Sequence, residues 1–298
     1  MAKSNGKVAF VTGASSGIGF AVSVELAKRG YKVYAGARRV DVMKPLEKFG
    51  IIPVSLDVTS AESISAAREL IESENDHLDI LLNNAGVIGG APAIEVSDED
   101  FTKCYEVNLY GPIRVTREFS KLIIKGKGLF AYTTSNAGIM PIPFTSIYSS
   151  SKAALSAYAS TLAFEVKPFG VKVLDFVSGG VKTEIMQVEH PVLNADSLYR
   201  IDGRDLLKEV GDNFDPNQYM DVAVYAVKAA NDIESALNSA SFFSSANYFR
   251  SFRGTMASFS RFATSFIPRG VLETLLLLAL KLSDGFKLIK KKYSAKSK

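Results

Sequence analysis

The chain of 298 residues contains one cysteine and two histidines. A single cysteine, Cys104, cannot form an internal disulfide, which is typical of proteins from a reducing compartment. Its neighbours have a helical pattern, and we interpret it as a structural thiol. His77 lies in a polar linker and His190 in a loop. No cluster of metal-ligating residues is evident in the sequence, so we predict no metal site.

Long apolar runs are also scarce. Residues 1–7 have no apolar core, and we do not expect them to form a secretory signal. Near the other end, Val271–Leu282 is apolar but too short, and too interrupted by Glu273 and Lys281, to span a bilayer. A helix of this kind can still lie in a membrane interface.

The N-terminal part of the chain contains a strand, a glycine-rich turn and a helix in succession. An apolar run at Lys7–Thr12 leads into the turn, a helical stretch at Phe20–Arg29 and a second strand at Lys32–Ala37. The first glycine permits a tight turn, the second lets backbone N–H groups approach a pyrophosphate, and the third allows close packing of helix on strand. The predicted phosphate-binding residues are Gly13, Ser15, Ser16, Gly17, Ile18 and Gly19.

Strand and helix patterns alternate over the first 180 residues. This alternation predicts an α/β fold with a Rossmann-type, doubly wound parallel sheet. We assign residues 1–240 to a single catalytic domain and residues 241–298 to a C-terminal extension of apolar and basic helices. Residues 219–233 have a helical pattern, and no final strand or glycine-rich turn is evident after them.

A tyrosine and a lysine four residues apart indicate acid catalysis. Tyr148 and Lys152 would share one helical face, where the ammonium would lower the pKa of the phenol. Ser135 ends the apolar run Leu129–Thr133, so its hydroxyl would lie at the carboxyl edge of the sheet. Taken alone, the pair is equally compatible with a solvated helix surface. Together with the glycine turn, it predicts a hydride-transfer enzyme acting on a carbonyl or an alcohol.

These motifs together resemble the short-chain dehydrogenase/reductase family, over about residues 5–190. The residues that carry the resemblance are Thr12-Gly13-x-x-x-Gly17-Ile18-Gly19, Asn83-Asn84-Ala85-Gly86, Asn108, Ser135 and Tyr148-x-x-x-Lys152. The resemblance implies that Tyr148 donates a proton to the substrate oxygen and that Ser135 orients that oxygen. It also implies that Lys152 holds the nicotinamide ribose and that Asn108 anchors a water between Lys152 and solvent.

The resemblance also implies a set of cofactor contacts. Asp57 resembles the aspartate that contacts adenine, and Asn84 and Gly86 would line the adenosine. The carboxamide would meet the segment Val181–Thr183, in which Val181 and Thr183 are the predicted contacts. Ser178 stands where the family usually has proline, so we expect the backbone near the nicotinamide to be less constrained.

The end of the second strand indicates which cofactor is used. A carboxylate at this position accepts hydrogen bonds from the ribose of NAD, whereas an arginine accommodates the additional phosphate of NADP. The sequence has Arg38 and Arg39 there and no carboxylate. We therefore predict NADPH, with Arg38 as the first candidate and Arg39 as the alternate. The other interpretation is a solvated loop arginine.

The basic charge of the chain is concentrated in its tail. Residues 281–298 contain seven lysines and one acid, a net +6, whereas the whole chain carries +4 and the remainder therefore −2. Lysines beside an apolar helix favour an anionic lipid surface. The alternative is a helix packed on its own domain, followed by a solvated tail. We predict no nucleic-acid binding, because the lysines lack interleaved arginines or stacking aromatics beyond Tyr293.

One branch of the family is similar nearly end to end, the fungal NADPH-dependent 1-acyl-dihydroxyacetone-phosphate reductases. The residues that carry this similarity are Ala37-Arg38-Arg39, Pro143 to Ala154, Glu165 to Phe169, Gly179 to Val181, Arg253 to Thr255 and Arg261-Phe262. The resemblance implies reduction of the ketone of an acylated dihydroxyacetone phosphate to lysophosphatidate. It also implies a location at the cytosolic face of the endoplasmic reticulum and on lipid droplets, or in the cytoplasm if the extension only packs on the domain.

A lipid phosphate substrate leads to a hypothesis about its pocket. Residues 184–218 correspond to the segment that covers the substrate in the family. The residues expected beside the acyl chain are Ile139, Met140, Ile142, Phe144 and Met186, and those expected at the phosphate are Lys182, Arg200 or Arg204. Family members commonly pair through the helices that here would carry Asn108 and Tyr148, so a homo-oligomer is expected.

Two other functions remain open. The first is an NADPH-dependent reductase or dehydrogenase of another lipid ketone, a steroid or a retinoid, which would use the same catalytic residues. The second is a serine lipase, because Gly13-x-Ser15-x-Gly17 formally matches the nucleophile motif of hydrolases. A lipase needs a base, and only His77 and His190 are available. A lipid-droplet protein with a vestigial site is disfavoured by the intact catalytic residues.

Overall fold

The computed structural model describes residues 4–184, 192–239 and 247–294. Met186 and His190 lie outside the described residues. The strands of the main sheet are β1 (Val8–Thr12), β2 (Lys32–Ala37), β3 (Ile52–Ser55), β4 (Ile80–Asn83), β5 (Leu129–Ser135), β6 (Lys172–Ser178) and β9 (Tyr248–Arg253). Two short antiparallel strands, β7 (Arg200–Ile201) and β8 (Arg204–Asp205), form a separate hairpin.

Helices connect these strands. Their bounds are α1 (Gly17–Lys28), α2 (Ala61–Glu74), α3 (Asp98–Tyr105), α4 (Gly111–Gly126), α5 (Ser146–Val166), α6 (Leu206–Asp212), α7 (Val222–Asn238), α8 (Ala257–Phe266), α9 (Arg269–Ala279) and α10 (Ser283–Ser294). The predicted helix at 219–233 is thus α7, displaced towards the C-terminus by a few residues.

The seven strands of the main sheet are all parallel and follow the order β3-β2-β1-β4-β5-β6-β9. Side chains alternate between the two faces, as the twofold period of a strand requires. On β1, Ala9 and Val11 pack with Val22 and Tyr225 of α1 and α7. On the other face, Phe10 packs in a second cluster with α2, α4 and α5. The Rossmann-type, doubly wound fold is therefore confirmed.

The expectation that no final strand follows residue 233 is wrong. Residues Tyr248–Arg253 form β9 at the edge of the sheet, parallel to β6. The strand was not predicted because its sequence, YFRSFR, mixes aromatic residues with arginine and serine and contains no long apolar run. Gly254 follows with φ 95 and packs against Gly179, forming the turn that the sequence also left unseen. The predicted boundary between the catalytic domain and the C-terminal extension, at residue 240, stays a prediction. The last strand of the main sheet, β9, lies beyond it.

Part of the C-terminal segment packs on the rest of the protein. Leu280 and Leu282 share an apolar cluster with Leu206 of α6, and the partly buried Phe286 of α10 joins it. The amide of Asn213 donates to the Leu280 carbonyl at 2.9 Å. None of the described helices is sufficiently long and apolar to cross a membrane.

We predict that replacing one buried leucine detaches this C-terminal packing. Leu206 is fully buried, so Leu206→Ala should lower the free energy of unfolding by about 2–5 kcal/mol, through lost burial and the cavity left behind. The control is Leu278→Ala, at a side chain 60% exposed, which should change it by less than about 0.5 kcal/mol. Urea denaturation measures both, and equal effects would contradict the packing described.

Candidate active site

The polar residues identified in the sequence converge on the carboxyl edge of the sheet. Thr12, Asn84, Ser135 and Ser178 lie at or directly after the ends of β1, β4, β5 and β6. Because all of these strands are parallel, their carboxyl ends share one edge, where ligands bind in open α/β sheets. The structure therefore brings together the residues predicted from separate motifs.

The glycine turn is closely packed on the segment after β4. Gly13 has φ 67, and a Cβ added there would lie 2.7 Å from the Cα of Ala85. A Cβ on Gly19 would lie 2.5 Å from Nδ2 of Asn84. Any larger residue at either position would push these two segments apart.

Asn84 serves as a clamp within the protein. Its Nδ2 donates to the carbonyls of Thr12 at 3.0 Å and Gly13 at 3.2 Å, and its Oδ1 accepts from the Thr133 hydroxyl at 3.2 Å. The Thr12 hydroxyl in turn accepts from the backbone N–H groups of Asn84 and Ala85, at 3.0 and 3.1 Å. This role of Thr12 was not predicted from the sequence. The feature that could have indicated it is a threonine at the end of an apolar strand.

The start of α1 can receive an anion. Ser16 is the N-terminal cap residue, its side chain makes no capping hydrogen bond, and no acidic residue lies in the first turn. The helix dipole therefore favours a negative group here. A Cβ on Gly17, which has φ 57, would lie 3.3 Å from the Thr183 side chain. The predicted nicotinamide-side residues, the half-buried Thr183 and the buried Val181, thus lie near the turn.

Two basic residues follow β2 at the carboxyl edge of the sheet. Arg38 and Arg39 are exposed after β2. Burial alone would raise the pKa of Asp57, but hydrogen bonds from Thr59 and the charge of Arg38 hold that pKa below its usual value. The effect of Arg38 on this pKa agrees with the prediction that Arg38 and Asp57 both serve the adenosine half.

Lys152 is buried and hydrogen-bonded at the end of β5. It is 4% exposed, and its Nζ donates to the Thr133 carbonyl at 2.9 Å. The same Nζ lies 6.0 Å from the ring centroid of Tyr148, which is in the first turn of α5. Ser135 ends β5 and accepts from the Ala137 N–H at 3.2 Å. Ser135 also acts on the pKa of Tyr148, so the three predicted catalytic side chains lie in one region at the carboxyl edge of the sheet.

Burial controls the ionisation of both groups. It lowers the pKa of Lys152 to about 8, against the opposing charges of Cys104 and Asp175. Burial also raises the pKa of Tyr148, while interaction with Ser135 acts in the opposite direction. Burial outweighs the Ser135 interaction at the phenol, and the lowering of its pKa by Lys152 stays a prediction. A phenol that keeps its proton suits the donor role in a reduction.

Asn108 lies in a single π-helical turn, Glu106–Tyr110, between α3 and α4. It is fully buried; its Oδ1 accepts from the Val87 N–H at 2.8 Å, and its Nδ2 donates to the Val87 carbonyl at 2.9 Å. Nδ2 also lies 3.1 Å from the Ser151 hydroxyl and 3.3 Å from Cys104 Sγ. Burial raises the pKa of the Cys104 thiol, which agrees with a structural role. Asn108 therefore joins α5 to the segment after β4.

Ser178 does not leave the backbone loose. It is 7% exposed, it pairs with Ser135 and Arg253 in the sheet, and its hydroxyl lies 2.7 Å from that of Tyr225. The sheet and this hydrogen bond hold the position at which the family usually has proline, contrary to the expectation.

The substrate-side residues fall into two groups. Met140 and Phe144 are buried, Ile139 and Ile142 are half-buried, and the Phe144 ring lies 5.3 Å from that of Tyr199. Among the predicted phosphate ligands, Arg204 and Arg200 have protein partners. Arg204 donates to both oxygens of Glu209 at 2.7 and 2.6 Å, and Arg200 donates to the Leu193 carbonyl at 3.2 Å. Lys182 is exposed beside Thr183.

The structure gives Ser15 no base among the described residues. His77 lies 3.4 Å from Asp79, and the Asp79 N–H pairs with the Val8 carbonyl at the amino end of β1. Ser15 follows the carboxyl end of the same strand. The two residues are therefore at opposite edges of the sheet, and the lipase interpretation loses its support.

A dinucleotide fits the residues that are present. A Cβ on Gly86 would lie 3.2 Å from Asn108 Oδ1 and 3.3 Å from Lys152 Nζ, so glycine leaves space directly beside the ammonium. With the anion-binding start of α1 and the arginines after β2, the edge has a site for a pyrophosphate between two nucleoside halves. Fold and site together define a nucleotide-dependent oxidoreductase.

The protein-family comparison agrees with this class. The family model described as short chain dehydrogenase matches residues 7–192, and the chain belongs to this family. Among solved structures, a short-chain dehydrogenase from Streptomyces avermitilis is 26% identical with a TM-score of 0.72, covering 94% of this chain and 98% of that one. A Burkholderia cenocepacia short chain dehydrogenase in complex with NADP is 25% identical with a TM-score of 0.69, covering 93% and 99%.

Curated relatives are more specific. The NADPH-dependent 1-acyldihydroxyacetone phosphate reductase of Saccharomyces cerevisiae is 38% identical over 299 residues, which cover 98% of this chain and 95% of the relative. The protein of the same name from Schizosaccharomyces pombe is 40% identical over 181 residues, covering 60% of this chain and 61% of the relative.

We predict that Gly86→Ala impairs both cofactor binding and turnover. The added methyl would displace Lys152 Nζ or Asn108, so kcat should fall by about tenfold or more, because small misplacements of catalytic groups are costly. Gly89→Ala is the matched control, since a Cβ there meets nothing within 4 Å. Steady-state kinetics and NADPH fluorescence titration provide the measurements. Equal activity of the two variants would contradict the crowding beside Lys152.

Proposed function

We propose that the chain is an NADPH-dependent reductase of the ketone of 1-acyl-dihydroxyacetone phosphate, giving 1-acyl-glycerol 3-phosphate. The observation that carries the proposal is the near full-length similarity to the Saccharomyces cerevisiae reductase. The arrangement of Ser135, Tyr148 and Lys152 supports it, because Ser135 and Lys152 both lie near the Tyr148 side chain at the carboxyl edge of the sheet.

The residues have distinct tasks in this reaction. The nicotinamide, when bound, supplies the hydride that reduces the ketone carbon. The Ser135 hydroxyl orients the ketone oxygen, and the Tyr148 phenol gives it a proton. The ammonium of Lys152, fixed by the Thr133 carbonyl, stabilises the phenolate that remains. Asn108 keeps the segment after β4 in contact with α5, so that these groups stay aligned.

The first test is turnover. Purified protein should oxidise NADPH with 1-palmitoyl-dihydroxyacetone phosphate, and Tyr148→Phe should lose at least about 100-fold in kcat, because the proton donor is removed. Absorbance at the NADPH band measures the rate. Turnover of only a steroid ketone or retinal would transfer the proposal to that substrate class. Absence of turnover with all three ketones would contradict the reductase.

The preference for NADPH rests on the residues after β2. Arg38 is exposed and influences Asp57 electrostatically, and no carboxylate occupies the end of the strand. We predict that Arg38→Ala raises KM for NADPH by about tenfold or more and leaves KM for NADH within about twofold, because only the phosphate contact is lost. Arg39→Ala is the matched comparison, with a smaller effect. A larger effect for Arg39→Ala would exchange the two roles.

A substrate with an acyl chain supports a peripheral association with the endoplasmic reticulum and lipid droplets, at their cytosolic face. Phe262 and Phe266 of α8 are 55% and 73% exposed, with ring centroids 5.2 Å apart. The same helix is attached near the catalytic serine, because Ser260 accepts from Asn136 at 3.2 Å. An apolar surface there would receive a lipid close to the site. The lysines of α10 add attraction to anionic headgroups.

We predict that this surface binds lipid. Phe262→Ser with Phe266→Ser should weaken sedimentation with phosphatidylcholine–phosphatidylserine vesicles by about tenfold or more, because two aromatic side chains leave the interface. Phe169→Ser, at a side chain 51% exposed elsewhere, is the control. If the double variant cosediments like the wild type, the α8 surface is not the binding surface.

Pairing of two copies through α4 and α5 also belongs to the proposal. Phe164 of α5 is 78% exposed and Tyr110, before α4, is 44% exposed. Large exposed apolar side chains of this kind support a surface that a second copy of the chain covers. Light scattering should give a mass of two chains for the wild type and of one chain for Phe164→Glu. A wild-type mass of one chain would contradict the pairing.

A further inference from the structure

A buried carboxylate behind the active site has no task in the reaction described so far. Asp175 lies in β6 and its side chain is fully buried. A buried charge is unfavourable unless it is paired and hydrogen-bonded. A buried carboxylate on the strand next to the edge of the sheet therefore needs compensating contacts.

Both oxygens of Asp175 accept hydrogen bonds from neighbouring elements. Oδ1 accepts from the Thr134 hydroxyl of β5 at 2.5 Å, and Oδ2 accepts from the Ser156 hydroxyl of α5 at 2.5 Å. On the other side, β9 supplies the Tyr248 hydroxyl at 3.1 Å and the Nε of Arg250 at 3.3 Å. Arg250 stands directly opposite Asp175 in the sheet register. The charge is thus compensated from the edge strand.

The first two partners adjoin the catalytic groups. Thr134 lies between Thr133, whose carbonyl holds Lys152, and Ser135, which ends β5. Ser156 is four residues beyond Lys152, one turn further along the same face of α5. One carboxylate therefore connects the strand that carries Ser135 to the helix that carries Tyr148 and Lys152.

We propose that Asp175 is a positioning residue of the reductase, holding β5 and α5 in register through Thr134 and Ser156 while Arg250 of β9 balances its charge. This rests on the proposed function, because it assumes that Ser135, Tyr148 and Lys152 reduce a carbonyl. In this role Asp175 acts through its two hydroxyl partners, Thr134 and Ser156.

The chain offers a matched control for a purely structural role. Asp232 of α7 also forms a carboxylate–arginine pair with β9, accepting from Arg253 Nε and Nη2 at 2.7 and 2.6 Å. Among the described residues, Asp232 accepts side-chain hydrogen bonds from Arg253 and Ser251, both of β9, so its replacement should weaken the attachment of β9. Asp175→Asn and Asp232→Asn therefore separate positioning of the site from stability of the edge strand.

The experiment compares these variants in the full chain by kinetics and by hydrogen–deuterium exchange. With NADPH and 1-palmitoyl-dihydroxyacetone phosphate, Asp175→Asn should lower kcat by about tenfold or more with KM changed less than about threefold. Amides of residues 133–135 and 148–156 should exchange faster. Asp232→Asn should leave kcat within about twofold and should not accelerate exchange in these segments.

The pH profile gives a readout that loss of stability would not move. Titratable groups around Lys152 are Cys104 from α3, Tyr148 from α5 and Asp175 from β6. The Asp175 charge favours the ammonium, whose pKa is about 8, so its removal lowers that pKa. If the ammonium is the active form, the alkaline limb of kcat should move to lower pH in Asp175→Asn and stay in place in Asp232→Asn.

Two further variants keep the test decisive if Asp175→Asn does not fold. Thr134→Val and Ser156→Ala each remove one hydrogen bond to Asp175, and each should lower kcat and accelerate exchange in the same segments. An inactive wild type would contradict the proposed function. Hydrogen–deuterium exchange of the variants would still test whether Asp175 connects β5 to α5. Unchanged exchange in these segments, or a kcat within twofold of wild type, would overturn the role of Asp175.

Discussion

The hydrogen bond from Lys152 to the Thr133 carbonyl is the contact on which the site depends. A lysine withdrawn from water needs a fixed acceptor, and the last residues of β5 supply one in the same segment that ends in Ser135. This contact joins α5, which carries Tyr148, to the end of β5. Because Gly86 has no Cβ, it leaves room beside both the Lys152 ammonium and Asn108. Backbone geometry thus fixes the ionisable group before any ligand binds.

The features that sequence reasoning predicted correctly are those with a local cause. A glycine turn needs positive φ at Gly13 and Gly17, and both angles are found. The spacing of Tyr148 and Lys152 places them on one helix, and the alternation of strands and helices gives the doubly wound sheet. Each of these depends on residues close together in the chain, so the sequence displays them directly.

Features that depend on distant partners escaped prediction. The strand β9 was not predicted because it contains arginines, which are unusual in a sheet unless they are compensated. Their compensating carboxylates, Asp175 and Asp232, lie in other elements. The raised phenol pKa of Tyr148 depends on burial, which no local pattern reveals. The amide of Asn84, a residue that the sequence assigned to the cofactor site, forms hydrogen bonds with Thr12, Gly13 and Thr133. Its partners were visible in the sequence, but their proximity was not.

The late position of β9 has a consequence for how the chain is made. All proposed catalytic residues precede residue 153, yet the strand that covers the edge of β6 begins at Tyr248. During synthesis the nascent domain therefore carries an open parallel edge and an uncompensated Asp175 until nearly the whole chain has emerged. Open edges promote association between chains, and long-range parallel pairing is slow. A chain shortened before this strand would retain its catalytic residues but would lack the strand that covers the edge of β6.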